Sequence, residues 1–100
     1  MKKYELVQVE YIYIDTEELT NEVINYLVTD YEPENYSQID DLDIYSAIEY
    51  AIDCQNSRII YADYDNLNEI ISNIYHDMVE YIDTHNIEHD LVPVIKNNVV

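Results

Sequence analysis

From residue 4 the chain reads YELVQVEYIYI, rich in β-branched and aromatic residues, and residues 4–14 are predicted as one strand. Val7, Val9, Tyr11 and Tyr13 fall on one face, and Leu6, Ile12 and Ile14 share the other with Gln8 and Glu10. The apolar period then lengthens from two to nearly four. Asp15-Thr16-Glu17-Glu18 reads as a helix start, with Glu18 placed to close a capping box on Asp15. Leu19, Val23, Tyr26 and Leu27 mark the inward face of a helix that runs to about Val28, and Glu18, Glu22 and Asn25 mark the outward face. Residues 29–37 form a loop around Pro33. A second helix over residues 38–53 carries the stripe Leu42, Tyr45, Ile48 and Ile52. Asp40, Asp41 and Asp43 crowd its first turns, where the helix dipole favours anions.

Residues 58–64, RIIYADY, read as a second strand. Asp65 or Asn66 then caps a third helix over 67–84, with Glu69 placed for a capping box on Asn66. Leu67, Ile70, Ile71, Ile74, Met78 and Ile82 face inward on it; Glu69, Asn73, His76, Asp77, Glu80 and Asp83 face outward. Residues 90–100, interrupted by Pro93, read as an edge strand or a flexible tail. The order β-α-α-β-α with an optional C-terminal strand predicts one α+β domain over residues 1–100, a small sheet of two or three strands packed on one side by three helices.

Charge changes this picture from structural to functional. Among 100 residues, 22 are acidic and 4 basic, for a net charge of −18. Four basic side chains cannot neutralise a phosphate track, which argues against direct nucleic-acid binding and against docking on an anionic membrane. No apolar run is long enough to span a bilayer, and Met1-Lys2-Lys3 leads into strand-like sequence rather than a secretory signal. The single cysteine, Cys54, excludes an internal disulfide, fits a reducing cytoplasm and is expected as a small core thiol. Ile (15), Tyr (12) and Asn (10) are abundant, as AT-rich codons favour, yet Lys, with equally AT-rich codons, numbers 3. Lysine has been kept out while its codon companions rose, so the negative field itself is read as the useful property. All the acids lie between Glu5 and Asp90 with one base, Arg58, among them. Most carboxylates are therefore solvated or await a cationic partner.

Candidate catalytic chemistry is sparse. His85-Asn86-Ile87-Glu88-His89 matches the spacing of an inverted zinc-protease motif, but a third ligand and a substrate-binding domain are needed and only eleven residues follow. A polar helix end explains it better. Asp63, Asp65, Asn66, Asn68 and Glu69 suggest a calcium loop, yet the chain has no Gly for the required turn and the ligand spacing is wrong. The Asp40–Asp43 cluster could hold Mg²⁺ weakly, and capping accounts for it better. Cys54 has no His near it in sequence, and the Gly-free chain lacks a phosphate-cradling loop. No enzyme activity and no cofactor are expected. The tyrosines divide between core substitutes for absent Phe and Trp, such as Tyr26 and Tyr45, and interface residues beside acids, where ring and carboxylate together suit arginine.

In size, charge and Asp/Glu/Tyr surface over residues 5–90, the chain resembles the phage-encoded DNA mimics, small acidic inhibitors of CRISPR effectors or restriction enzymes. Acids at i, i+3 and i+7 on a helix lie roughly 5 Å apart along its axis, within a factor of two of the phosphate spacing of one DNA strand. Glu18–Glu22 and Asp77–Glu80–Asp83 have such spacing. The resemblance implies an anti-CRISPR inhibitor, acting in the host cytoplasm, that occupies the site where an effector reads its protospacer-adjacent motif (PAM). The alternatives are an anti-restriction mimic, an immunity protein or antitoxin that neutralises a basic nuclease toxin, and an acidic adaptor. The surface expected to meet the partner comprises Glu17, Glu18 and Glu22 on the first helix and Asp40, Asp41 and Asp43 at the start of the second. It continues through Tyr61, Asp63, Tyr64, Asp65 and Glu69 before and within the third helix, and Asp77, Glu80 and Asp83 along it.

Overall fold

The computed structural model describes the backbone of residues 2–7, 10–56 and 64–99, and the side chains of residues 14–55 and 68–99. Two short strands, β1 (Lys2–Val7) and β2 (Glu10–Ile14), pair antiparallel, with Lys2 opposite Ile14 and Val7 opposite Glu10 and a register shift between Glu5 and Val7. Helices follow: α1 (Thr16–Asp30), a 3₁₀ helix (Pro33–Gln38), α2 (Asp41–Asn56), α3 (Tyr64–Thr84) and α4 (Val92–Asn98).

This is a helical bundle, not the α+β sheet packed by three helices that the sequence predicts. In place of the single strand expected over 4–14 there are two short antiparallel strands, because an apolar pattern on both faces does not distinguish one long strand from two short ones. The strand expected over 58–64 falls outside the described residues except at Tyr64, where α3 has already begun. Asp65 and Asn66 are thus inside that helix rather than its caps. The expected C-terminal strand or tail is α4. Pro93 lies in its first turn, where the missing N–H costs nothing and the fixed φ suits a helix.

Helices α1, α2 and α3 pack on one another, and α4 packs on α3. The core consists of Leu19, Val23, Ile24 and Leu27 from α1, Ile44, Ala47, Ile48, Ala51 and Ile52 from α2, and Ile70, Ile71, Ile74, Tyr75, Met78 and Ile82 from α3. Ile14, Ile39, Leu91 and Ile95 complete it. The stripes predicted for α1 and α3 are correct at every described position but Tyr26, which is half-buried. That for α2 is rotated: Ile44, Ala47 and Ala51 point inward, and Leu42 is exposed.

Each helix end has a local cause. The Glu18 N–H donates to Asp15 Oδ1 at 3.2 Å, capping α1. The Asp15 N–H donates to Gln55 Oε1 at 3.3 Å, and Gln55 Nε2 donates to Asp15 O at 3.5 Å, so the end of α2 is clamped to the start of α1. At α2 two aspartates cap reciprocally. The Asp43 N–H donates to Asp40 Oδ1 at 2.9 Å and the Asp40 N–H to Asp43 Oδ2 at 3.1 Å. Beyond the end of α3 at Thr84 the chain turns at Asn86, whose φ of 51° is left-handed, and the Ile87 N–H reaches back to Ile82 O at 3.1 Å. A chain without glycine uses asparagine for this turn. α4 is tied down by Tyr75, which donates its buried hydroxyl to Ile95 O at 2.6 Å, and by Asn98 Nδ2, which donates to Ile39 O at 3.3 Å.

Candidate partner-binding face

The start of α1 lies beside the last third of α3, where Thr16, Asp77, Glu80, Tyr81 and Thr84 line an open cleft of about 160 Å³. Burial raises the Tyr81 hydroxyl above its ordinary pKa, and the carboxylates of Glu17 and Asp15 raise it further. Glu17 and Asp15 thus act on the Tyr81 phenol, and Asp77 and Glu80 line the same cleft. The far face of the ring is closed by His85, stacked at 4.0 Å between centroids. The fold thus brings Glu17 of α1 near the cleft that Asp77 and Glu80 of α3 line.

Other expected members go elsewhere. Glu18 and Glu22, one turn apart, lie on the side of α1 toward α2, where Glu22 is close enough to act on the Tyr50 hydroxyl. Asp83 donates its charge to an internal pair: Lys96 Nζ lies 2.7 Å from its Oδ1. It lines a different cleft, of about 240 Å³, with Asn86, Glu88 and Lys96. Asp40, Asp41 and Asp43 stand at the other end of α1, beside Tyr31. Asp43 accepts from the Asp40 backbone N–H, which holds its carboxyl below the usual aspartate value, and a hydrogen bond with Asp43 raises the Tyr31 hydroxyl. At about 1.5 Å per residue, the 15 residues of α1 separate these two acidic centres by roughly 22 Å. Glu69 is exposed on α3. Tyr61 and Asp63 lie outside the described residues, as do the side chains of Tyr64 and Asp65.

The remaining candidates acquire definite settings. Cys54 is exposed, not a core thiol, because it lies off the face of α2 on which Ile44, Ala47, Ile48, Ala51 and Ile52 are buried. His85 follows the last turn of α3, with Nδ1 3.1 Å from Tyr81 O. His89 accepts the Leu91 N–H at Nδ1, 3.1 Å away. The helix stops at Thr84, so the zinc-type spacing of these two histidines does not fall on a helix face. Among the described residues no three His, Cys, Asp or Glu side chains converge as a metal site. Among them also, no helix is long and apolar enough to cross a membrane.

Sequence reasoning overlooked Tyr81, Tyr75 and Tyr50. Tyr81 has a visible signal, lying one residue past Glu80 and four before His85; the approach of α1 that makes it a cleft wall has none. No family model, characterised protein or solved structure matches the chain.

Proposed function

We propose that this protein is an acidic DNA mimic that occupies the PAM-reading site of a CRISPR effector in the host cytoplasm and blocks target binding. The observation that supports the reading is the charge balance, with 22 acidic residues against 4 basic ones and a net charge of −18. Among residues with described side chains the only Lys or Arg is Lys96, and it is paired with Asp83. The acids of α1 and α3 that meet around Tyr81 are drawn from a chain with 22 acidic and 4 basic residues. Holding so much uncompensated charge on a folded surface destabilises the compact state by self-repulsion. A basic partner relieves that cost on binding.

The dimensions suit a short duplex. Two acidic centres roughly 22 Å apart span about six base pairs at 3.4 Å per pair. Arginines that read a PAM, and lysines that hold the flanking phosphates, would meet carboxylates in place of DNA. Association would be fast and weakened by salt.

The test measures PAM-duplex binding by a panel of CRISPR effectors with this protein added. An effector should lose its duplex, and the double variant E17K/E80K should restore it. Both positions are exposed and neither caps a helix, so the fold stays intact. Undiminished inhibition by E17K/E80K removes this face from the mechanism. Inhibition of a restriction enzyme or a nuclease toxin, with every CRISPR effector unaffected, refutes the CRISPR reading in favour of that target.

A further inference from the structure

Opposite the Tyr81 cleft, on the side of α1 that faces α2, the surface carries an aromatic platform. Tyr50 on α2 exposes 52% of its area, although it is among the largest side chains in the protein. Its ring lies 5.1 Å from that of Tyr26 on α1, tilted by 36°. Tyr26 is half-buried and packed against the core, so the pair is anchored from below. One turn before Tyr26 stands Glu22, and one turn after Tyr50 stands Cys54, exposed and close enough to act on the Tyr50 hydroxyl. Core packing does not account for a tyrosine that leaves half its surface in water.

We propose that Tyr50, backed by Tyr26 and flanked by Glu22, is a seat for an arginine side chain of the basic partner. The proposal rests on the reading that the partner is a basic protein, and it assigns an anchor outside the acidic cleft. A guanidinium lies flat on an aromatic ring and can at the same time direct its N–H groups to a carboxylate. An ammonium is a strongly hydrated point charge and gains less from the ring. The chemistry of the seat therefore discriminates between two cations that a field of carboxylates alone would treat alike. Charge complementarity selects the occupant: an apolar side chain would have to dock on a surface with net charge −18, whereas arginine is drawn to it. Rigid aromatic anchors beside otherwise electrostatic contacts are where binding energy concentrates in protein interfaces.

The experiment compares hexa-arginine with hexa-lysine as probes of the intact protein, by calorimetry and by the ring resonances of Tyr26 and Tyr50. Hexa-arginine should bind about two- to five-fold more tightly, as expected for a cation on an exposed ring, and should shift both rings. Tyr50→Leu should abolish that preference while hexa-lysine binding stays unchanged. Alkylation of Cys54 with iodoacetamide, which crowds the seat without altering the ring, should do the same. Equal affinity for the two peptides overturns the proposal, as does a preference that survives in Tyr50→Leu or a failure of both peptides to bind. The E17K/E80K variant separates this result from the mimic reading. Loss of the arginine preference in Tyr50→Leu with undiminished inhibition by E17K/E80K keeps the seat and removes the cleft. The converse pattern removes the seat alone.

Discussion

Tyr75→Phe tests how α4 is held, with one oxygen atom removed. Tyr75 is fully buried on α3, its ring meets Tyr45 edge-on at 5.9 Å, and its hydroxyl donates to the Ile95 carbonyl at 2.6 Å. Phenylalanine keeps the ring and its contacts. It deletes the donor and leaves the carbonyl of Ile95, a fully buried residue, without this partner. An acceptor stripped of a buried hydrogen bond costs about 1–3 kcal/mol. For a domain of this size each kcal/mol lowers Tm by about 4–8 °C, so a fall of roughly 5–20 °C is expected. Thermal unfolding followed by circular dichroism measures the total. Hydrogen exchange locates it, with amides of α4 losing protection before those of α1 and α2. Alkali gives a second readout. Burial raises the Tyr75 pKa, so the folded state favours the neutral phenol. Its contribution is complete below the unfolded tyrosine value of about 10 and is lost as pH rises beyond it toward the folded value. Tyr75→Phe should therefore flatten the alkaline limb of the stability profile. A change below about 0.5 kcal/mol, with α4 exchange unaltered, would refute the argument that this bond secures α4.

The reciprocal cap at α2 predicts that Asp43→Ala, which removes the acceptor of the Asp40 N–H, destabilises the protein by about 0.5–2 kcal/mol, measured by urea denaturation. Because the Asp43 pKa is lowered in the fold, its contribution is present above the unfolded aspartate value of about 3.9 and disappears as pH falls below it, so wild type and variant should converge in acid. The rotation of α2 predicts that Leu42→Ser changes stability by less than about 0.5 kcal/mol, whereas Ile44→Ala costs about 2–5 kcal/mol. Equal costs at the two positions would restore the stripe expected from sequence.

Helix α3 was legible because Ile70, Ile71, Ile74, Met78 and Ile82 recur at helical spacing over about three and a half turns, with acids between them. Helix α1 was legible because its cap, its acidic first turn and its apolar face all agree. Helix α2 was found but its face was not. Leu42, Tyr45, Ile48 and Ile52 form as regular a stripe as Ile44, Ile48 and Ile52, and two alanines that complete the true face carry little hydrophobic signal. The C-terminus failed for a related reason. LVPVIKNNVV has the β-branched content of a strand, and its helical state is set by the burial of Leu91 and Ile95 against α3 and by the Tyr75 bond.

The sequence by itself determined the charge balance, the near absence of basic side chains and the caps of α1 and α2, because these depend on residue type and on spacings of three or four. Tertiary structure decided which acids act together. It joined Glu17 to Asp77 and Glu80 around Tyr81, turned Glu22 toward Tyr50, and gave Asp83 to Lys96. Those residues lie as far as sixty-odd positions apart, and charge patterning along a chain carries no information about which helix faces will meet. Only the packing of the apolar faces sets that, and the carboxylates on the opposite faces follow.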